Sequence, residues 1–329
     1  MKPLIDADVL RYEVGACGSF INDEGETEHR SFDFVANLFD EKVKEICSLV
    51  WATEEPLIFL TVDAATKRQM NKPTKKQVSR LESKLEGEQC AATIAQITHD
   101  IDSLKEEMRY KPNFRQEIAK KKEYKATRKS EKPYHYDNLT AYIRSNYDVV
   151  CAEGMEADDL LAIHQTTAIR EDRTPTTIIC TRDKDLRMVE GMHFGWACGK
   201  QAAFGPVRVG RDGAIKPIFD REGKVRELKG TGMAFFCVQL ITGDTVDNIP
   251  GLPRYGPVKA LAILEGLTTY EDMLKAVRDA YKSVYGDMWE EEMLEQARLL
   301  WMVTELDDDG QPVLFELPDF LFEGENDEQ

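Results

Sequence analysis

The chain has 329 residues, 42% of them apolar, enough for one large domain or two modest ones with a real core. Its formal net charge is −17, no apolar run approaches the roughly 20 residues that span a bilayer, and its seven cysteines form no C-x-x-C pair. A membrane span, a disulfide framework and a cysteine zinc site are therefore not expected. The start MKPLIDADVL, without an apolar signal stretch, points to a cytoplasmic setting.

The first apolar run, Leu4-Ile5, reads as a strand and ends in Asp6 and Asp8. Residues 32–50 repeat apolar positions at Phe34, Leu38, Phe39, Val43, Ile46, Leu49 and Val50, which is helical spacing. A strand over 57–63 stops at Asp63. Next, Val78, Leu81 and Leu85, and then Ile94, Ile97, Ile101, Leu104 and Met108, alternate in steps of three and four. Glu86-Gly87-Glu88 separates the two stripes, so the spacing predicts an antiparallel helical hairpin turning near Gly87. A two-helix projection packed on itself would explain the stripe without any function.

Residues 64–132 hold 18 Lys/Arg against 10 Asp/Glu, and 113–132 interleaves its cations with aromatics. A basic segment inside an acidic protein suits nucleic acid, and equally suits a solvated charged helix. Residues 138–147 read as a helix and 148–152 as a strand. That strand leads to Glu156, Asp158 and Asp159 at the opening of a helix over 155–169. A strand over 176–180 leads through Thr181 and Arg182 to Asp183 and Asp185. Residues 199–231 are Gly-rich and read as loops or a hairpin. A helix over 233–242 precedes Asp244 and Asp247, and the pattern is helical again from 258 to about 303. The tail is acidic: 287–329 carries 15 acids and one base, Arg298. The alternation of strand and helix predicts an α/β fold with a mostly parallel central sheet flanked by helices.

The position of the acids carries the chemistry. Four apolar runs end in carboxylates, where open α/β sheets place their sites. Carboxylates so crowded cannot all ionise without cations between them, and oxygen ligands suit Mg²⁺ or Mn²⁺. Taken singly, each motif has an ordinary explanation. Glu156, Asp158 and Asp159 sit where first-turn acids cap a helix. Thr181-Arg182-Asp183-Lys184-Asp185 fits a turn, although residues two apart in extended chain project to one side. Asp244 and Asp247 lie three apart, and Gly251…Gly256 precedes a helix opening at Pro257, with Lys259 beside it. That geometry exposes N–H groups suited to phosphate, and also describes a plain helix–turn–helix packing unit.

Together the motifs resemble the flap endonuclease (5′-nuclease) superfamily, in particular bacteriophage 5′→3′ exonucleases and the 5′-nuclease domains of bacterial DNA polymerases. The resemblance spans nearly the whole chain. It rests on IDADVL at 5–10, Asp63, Phe114-Arg115, Tyr124-Lys125-x-x-Arg128, GMEADD at 154–159, TRDKD at 181–185 and GDTVDNIPG at 243–251. It implies a helical arch and a helix–three-turn–helix module that grips duplex DNA. It implies one metal site of Asp6, Asp63, Glu156 and Asp158, and a second of Asp183, Asp185 and Asp244, with Asp158 between them and Asp159 and Asp247 outside. Lys125 and Arg128 would contact the scissile phosphate and Tyr124 would stack on a base. Arg115, Gly251, Gly256 and Lys259 would join the DNA contacts. Asp158 and Asp183 would be the acids most directly engaged in the chemistry. Two Mg²⁺ or Mn²⁺ ions about 4 Å apart suit phosphodiester hydrolysis, and the duplex module can also hold K⁺ through backbone carbonyls.

The division the resemblance implies is a nuclease core over 1–232, carrying the helical insert 64–112 and an arch-like basic segment 113–132. A helix–three-turn–helix and C-terminal helical region over 233–304 follows, then an acidic tail over 305–329. The expected substrate is DNA with a free 5′ end or a 5′ flap, with RNA:DNA hybrid as an alternative. No membrane is expected as a partner. The task would be primer removal or DNA degradation in phage replication. Two other readings share these features: a catalytically inactive DNA-binding scaffold, which need not keep nine acids, and a PIN-type endoribonuclease, which would not need the 243–260 segment. The chain departs from the pattern at Glu13, where the family often has Arg, and at Arg254, where a small residue is usual.

Overall fold

The structure is a computed structural model that describes residues 1–127, 131–172 and 175–323. Strand β1 (Lys2–Asp6) runs directly into helix α1 (Ala7–Ala16), because the Asp6 carboxylate caps the helix by accepting from Asp8 and Val9 N–H. A short hairpin, β2 (Ser19–Ile21) and β3 (Thr27–His29), leads to α2 (Phe32–Leu49), capped by Ser31. Strand β4 (Leu57–Thr61) precedes α3 (Ala64–Glu86), capped by Asp63. The hairpin expected in the insert is present: α3 ends at Gly87 and packs on α4 (Ala91–Glu107), with Val78 and Ile101 buried in the seam.

Segment 113–132 does not form a helical arch among the described residues. It holds one helical turn, α5 (Arg115–Ile118), followed by turns, and Arg128 lies outside the described residues. Its cations bond elsewhere in the fold, as described below. Then follow α6 (Tyr136–Asn146), β5 (Val149–Ala152), α7 (Ala157–Glu171) and β6 (Thr177–Cys180). Beyond β6 come β7 (Gly191–Gly195), β8 (Phe204–Val209), β9 (Ala214–Phe219) and β10 (Val225–Thr231). The C-terminal helices are α8 (Gly232–Thr242), α9 (Pro257–Leu264), α10 (Tyr270–Tyr285) and α11 (Trp289–Leu300).

The main sheet has the order β5-β4-β1-β6-β7-β8. Its first five strands are parallel and β8 runs antiparallel to β7. The fold is thus α/β with a mostly parallel sheet, as the alternation of elements predicts. Successive residues face opposite sides. Ile5, Ile58, Leu60, Ile178 and Cys180 pack with α1, α2 and α6, while Leu4, Leu57, Phe59 and Ile179 pack with α7, α8, α10 and α11. The region 199–231 is more ordered than its glycines suggest. It supplies the edge strand β8 and a separate two-stranded ribbon, β9–β10. No described helix is long and apolar enough to cross a membrane.

Candidate active site

The chain leaves β1 for β4 and β5 on one side, then α7 carries it back to β6 on the other. The crevice of such a sheet opens beyond the carboxyl ends of the strands where the order reverses, here β1 and β6. Asp6 ends β1 and Asp183 follows β6. Thr181 ties the two together: its hydroxyl donates to Asp6 Oδ2 at 2.7 Å and accepts from Asp183 N–H at 2.9 Å. Asp183 in turn accepts from Asp185 N–H at 2.9 Å, and Asp185 accepts from Gln239 Nε2 at 2.7 Å. Asp158 enters from the first turn of α7.

These four acids share one electrostatic condition. Burial, then the neighbouring Asp8 carboxylate, pushes Asp6 up to about 7. Burial, then Asp6 and Asp183, holds Asp158 well above the usual carboxylate range. Burial raises Asp183, and burial with Asp183 lifts Asp185 to about 8. Buried like charges resist ionisation until a cation joins them.

The other acids are each matched to a cation of the chain. Burial alone would raise Glu156, but the Lys125 ammonium and the Arg115 guanidinium hold it down at about 2. Its carboxylate accepts from Lys125 Nζ and, at 3.0 Å, from the Tyr124 hydroxyl. Burial is likewise outweighed at Asp63, which Lys132 and Thr66 hold low, and at Asp244, which Lys184 holds low from 3.0 Å. Asp247 accepts from the Tyr124 hydroxyl at 3.1 Å and lies 3.6 Å from Lys125 Nζ. Among the described residues, no three His, Cys, Asp or Glu side chains converge tightly enough to hold a metal ion as they stand. Asp6, Asp158, Asp183 and Asp185 nevertheless suit a hard divalent ion, being clustered oxygen donors of which Asp6 is buried and the others partly buried. Glu156, Asp63 and Asp244 would have to exchange a lysine for such an ion.

Several expected DNA contacts lie elsewhere. Arg115 is buried, 1% exposed, and forks onto Asp159 at 2.7 and 2.8 Å while also donating to the Leu299 and Trp301 carbonyls. Asp159 also accepts from the Val303 and Glu156 N–H groups. The pair joins α5, α7 and the C-terminal chain, so Arg115 lies inside the fold and Asp159 is engaged by Arg115. Tyr124 is 6% exposed with its hydroxyl on two acids, so its ring offers no face to a base.

In the 243–256 turns, Gly243 (φ 71°) and Gly251 (φ 62°) lie back to back. A Cβ on Gly251 would meet Gly243 N at 2.3 Å, so only glycine fits there. Gly251 N–H donates to Gln296 Oε1 at 3.1 Å, so it does not face a phosphate. Gly256 caps α9 in open space, and exposed Lys259 lies over the Tyr255 ring. Glu13, the departure at the N-terminus, accepts from Arg182 and from Trp196 Nε1, both at 2.9 Å. Thr181, Lys184, Gln239 and Lys132 were not singled out by the residue pattern. Their roles follow from long-range contacts, and only TRDKD itself marked two of them.

No family model matches the chain. Among solved structures, the T5 D15 protein co-crystallised with metal ions is 11% identical, over 91% of this chain and 88% of that chain, with a TM-score of 0.44. DNA polymerase I of Pseudomonas aeruginosa is 31% identical over 173 residues, 51% of this chain and 17% of the polymerase. The 5′-3′ exonuclease of Mycobacterium tuberculosis is 29% identical over 136 residues, 39% of this chain and 38% of that protein. The chain thus matches less than half the length of either relative. The resemblance carried by the motifs is borne out in sequence: the chain is similar over 173 residues to a DNA polymerase I and over 136 residues to a 5′-3′ exonuclease.

Proposed function

We propose that the chain is a metal-dependent nuclease that hydrolyses phosphodiester bonds of DNA from a 5′ end or at a 5′ flap, and the RNA strand of RNA:DNA hybrids as a further substrate. One observation carries the reading. Asp6, Asp158, Asp183 and Asp185 gather at the sheet's switch point with their carboxyls pushed up by burial and neighbouring carboxylates, although Lys184 stands 3.9 Å from Asp185, while Glu156 and Asp244 beside them are held low by lysines. The sequence likeness to a 5′-3′ exonuclease supports the same chemistry.

Bound Mg²⁺ or Mn²⁺ would supply a nucleophilic water at neutral pH and relieve charge on the leaving oxygen. These four acids would hold the ions, with Thr181 fixing Asp6 relative to Asp183 and Gln239 fixing Asp185. Lys125, on Glu156, and Lys184, on Asp244, border this group and would offset charge on the phosphoryl oxygens. Residues 1–232 would be the catalytic core and 233–304 the part that grips duplex, where K⁺ binding by the 243–256 turns is a further expectation. Residues 305–323 and the tail beyond them would repel stray nucleic acid by their charge.

The test uses a 5′-labelled flap duplex, a blunt duplex and a single strand, each with Mg²⁺, with EDTA and with Asp183→Ala. Release from the 5′ end that needs Mg²⁺ and falls on the order of a thousandfold or more in the variant, with DNA binding kept, is expected. Binding without cleavage in both Mg²⁺ and Mn²⁺, or cleavage indifferent to Asp183→Ala, would overturn the proposal.

A further inference from the structure

The part of the chain with the weakest pattern carries a net positive charge. Residues 199–231 hold 8 Lys/Arg against 4 Asp/Glu in a chain whose net charge is −17. They build one wall of a cleft of about 850 Å³ between the β9–β10 ribbon, β8 and α8. Lys216, Arg226 and Lys229 line it from the ribbon, and Arg187 and Lys200 line it from the sheet side. Glu227 is the single acid among its described lining residues, and it lies 3.9 Å from Arg226.

Two features show that these cations are not spent within the fold. Lys216 and Lys229 stand directly opposite each other across the ribbon. Like charges in that position repel, so the pairing costs stability unless an anion lies between or above them. Among the described residues, neither they nor Lys200 has a carboxylate within ion-pair distance. Arg187 is held in place by lying over the Phe204 ring, 4.0 Å from its centroid. Backbone geometry also fixes the ribbon's root. A Cβ on Gly213 (φ 71°) would fall 1.8 Å from the Thr231 carbonyl oxygen, so the ribbon is pinned against the start of α8.

The cleft is connected to the acids. Lys184, Gln239 and Gly243 also line it. Lys184 reaches Asp244 at 3.0 Å and Gln239 reaches Asp185 at 2.7 Å. The cations come from separate stretches of chain, Arg187 after β6, Lys200 before β8, Lys216 on β9, and Arg226 and Lys229 on β10. A free phosphate or nucleotide needs convergent donors, whereas a strand needs a row of charges.

We infer that the cleft between the β9–β10 ribbon and α8 is a binding track for a nucleic-acid strand, leading its phosphodiester backbone to Asp185 and Asp244. The inference rests on the nuclease reading for the identity of the polyanion. Neutralising phosphates with Lys and Arg releases counterions, so each contact leaves a signature in the salt dependence of binding.

The test measures anisotropy of a labelled single strand, a blunt duplex and a flap duplex against the full chain in EDTA and in Ca²⁺, across a salt series. The variants are K216E/K229E and, because charge reversal could disturb the ribbon, K216Q/K229Q. Wild-type thermal melting of both variants is the check on folding. Affinity lower by roughly tenfold, with the slope of log K against log salt reduced by about 1.4 on single strand or about 1.8 on duplex, is expected. A loss on the single strand assigns the track to one strand, and a loss confined to the duplex substrates assigns it to paired DNA. Wild-type binding that both variants reproduce in affinity and slope overturns the track alone. Wild-type protein that neither binds nor cuts any of the three substrates overturns the nuclease reading, and the track with it.

Discussion

Segment 113–132 and the β9–β10 ribbon are both rich in cations, and the fold uses them in opposite ways. In the first, Arg115 is buried against Asp159, Lys120 lies 3.5 Å from Glu291, and Lys121 rests on Glu292. Lys125 rests on Glu156 and Lys132 on Asp63. Glu295 fastens the same stretch by accepting from the Lys120 and Lys121 N–H groups, each at 3.0 Å. The acidic α11 and the site acids thus absorb most of that segment's charge. In the ribbon, Lys216 and Lys229 face each other and the cleft. A count of lysines in a segment therefore measures the field it could produce, and the partners brought by the rest of the chain decide how much of it reaches a ligand.

This contrast can be broken most sharply at Arg115. Arg115→Met leaves the Asp159 carboxylate buried without its partner, and the expected loss is about 3–5 kcal/mol of stability, read by denaturant unfolding. If Arg115 were a DNA contact, stability would hold and affinity would fall instead.

A smaller effect tests the scaffold beside the cleft. His193, on β7 opposite Val207 of β8, donates from Nε2 to the Val189 carbonyl at 2.8 Å, and burial pushes its imidazole down to about 4. The folded state therefore favours the neutral ring. Its contribution is fully present above the ordinary value near 6.5 and is lost as pH falls toward about 4, a total of about 3 kcal/mol. Unfolding free energies at pH 7 and pH 4.5 should differ less in His193→Gln than in the wild type. An equal difference in both would place the acid sensitivity elsewhere.

The smallest effect is expected where the lysines are already matched. Lys120→Ala with Lys121→Ala should change DNA affinity less than about threefold, because exposed ion pairs within the protein already occupy these groups and are worth little themselves. A loss comparable to that of the ribbon variants would erase the distinction between the two regions.

Some of the site was legible before any coordinates. Asp6, Asp158, Asp183 and Asp185 stood at the ends of apolar runs, and short-range pattern is enough to place an acid at a strand end. The heptad seam of the insert was equally readable, because the hairpin packs on itself and Val78 and Ile101 are buried in it. Elements with short or polar cores were not. Helix α1 hides behind a capping Asp6 that also reads as the end of a strand, and β7 and β8 are short strands with glycines at their ends.

The sequence by itself determined which acids could act and that they follow parallel strands, since hydrophobic period and turn residues are local properties. The tertiary structure alone decided which charges are spent. Glu156, Asp63, Asp159 and Asp244 meet cations 31 to 69 residues away, as Lys132 meets Asp63 across 69 positions. Ion pairing depends on distance in space and on burial, and neither is written in the spacing of residues along the chain.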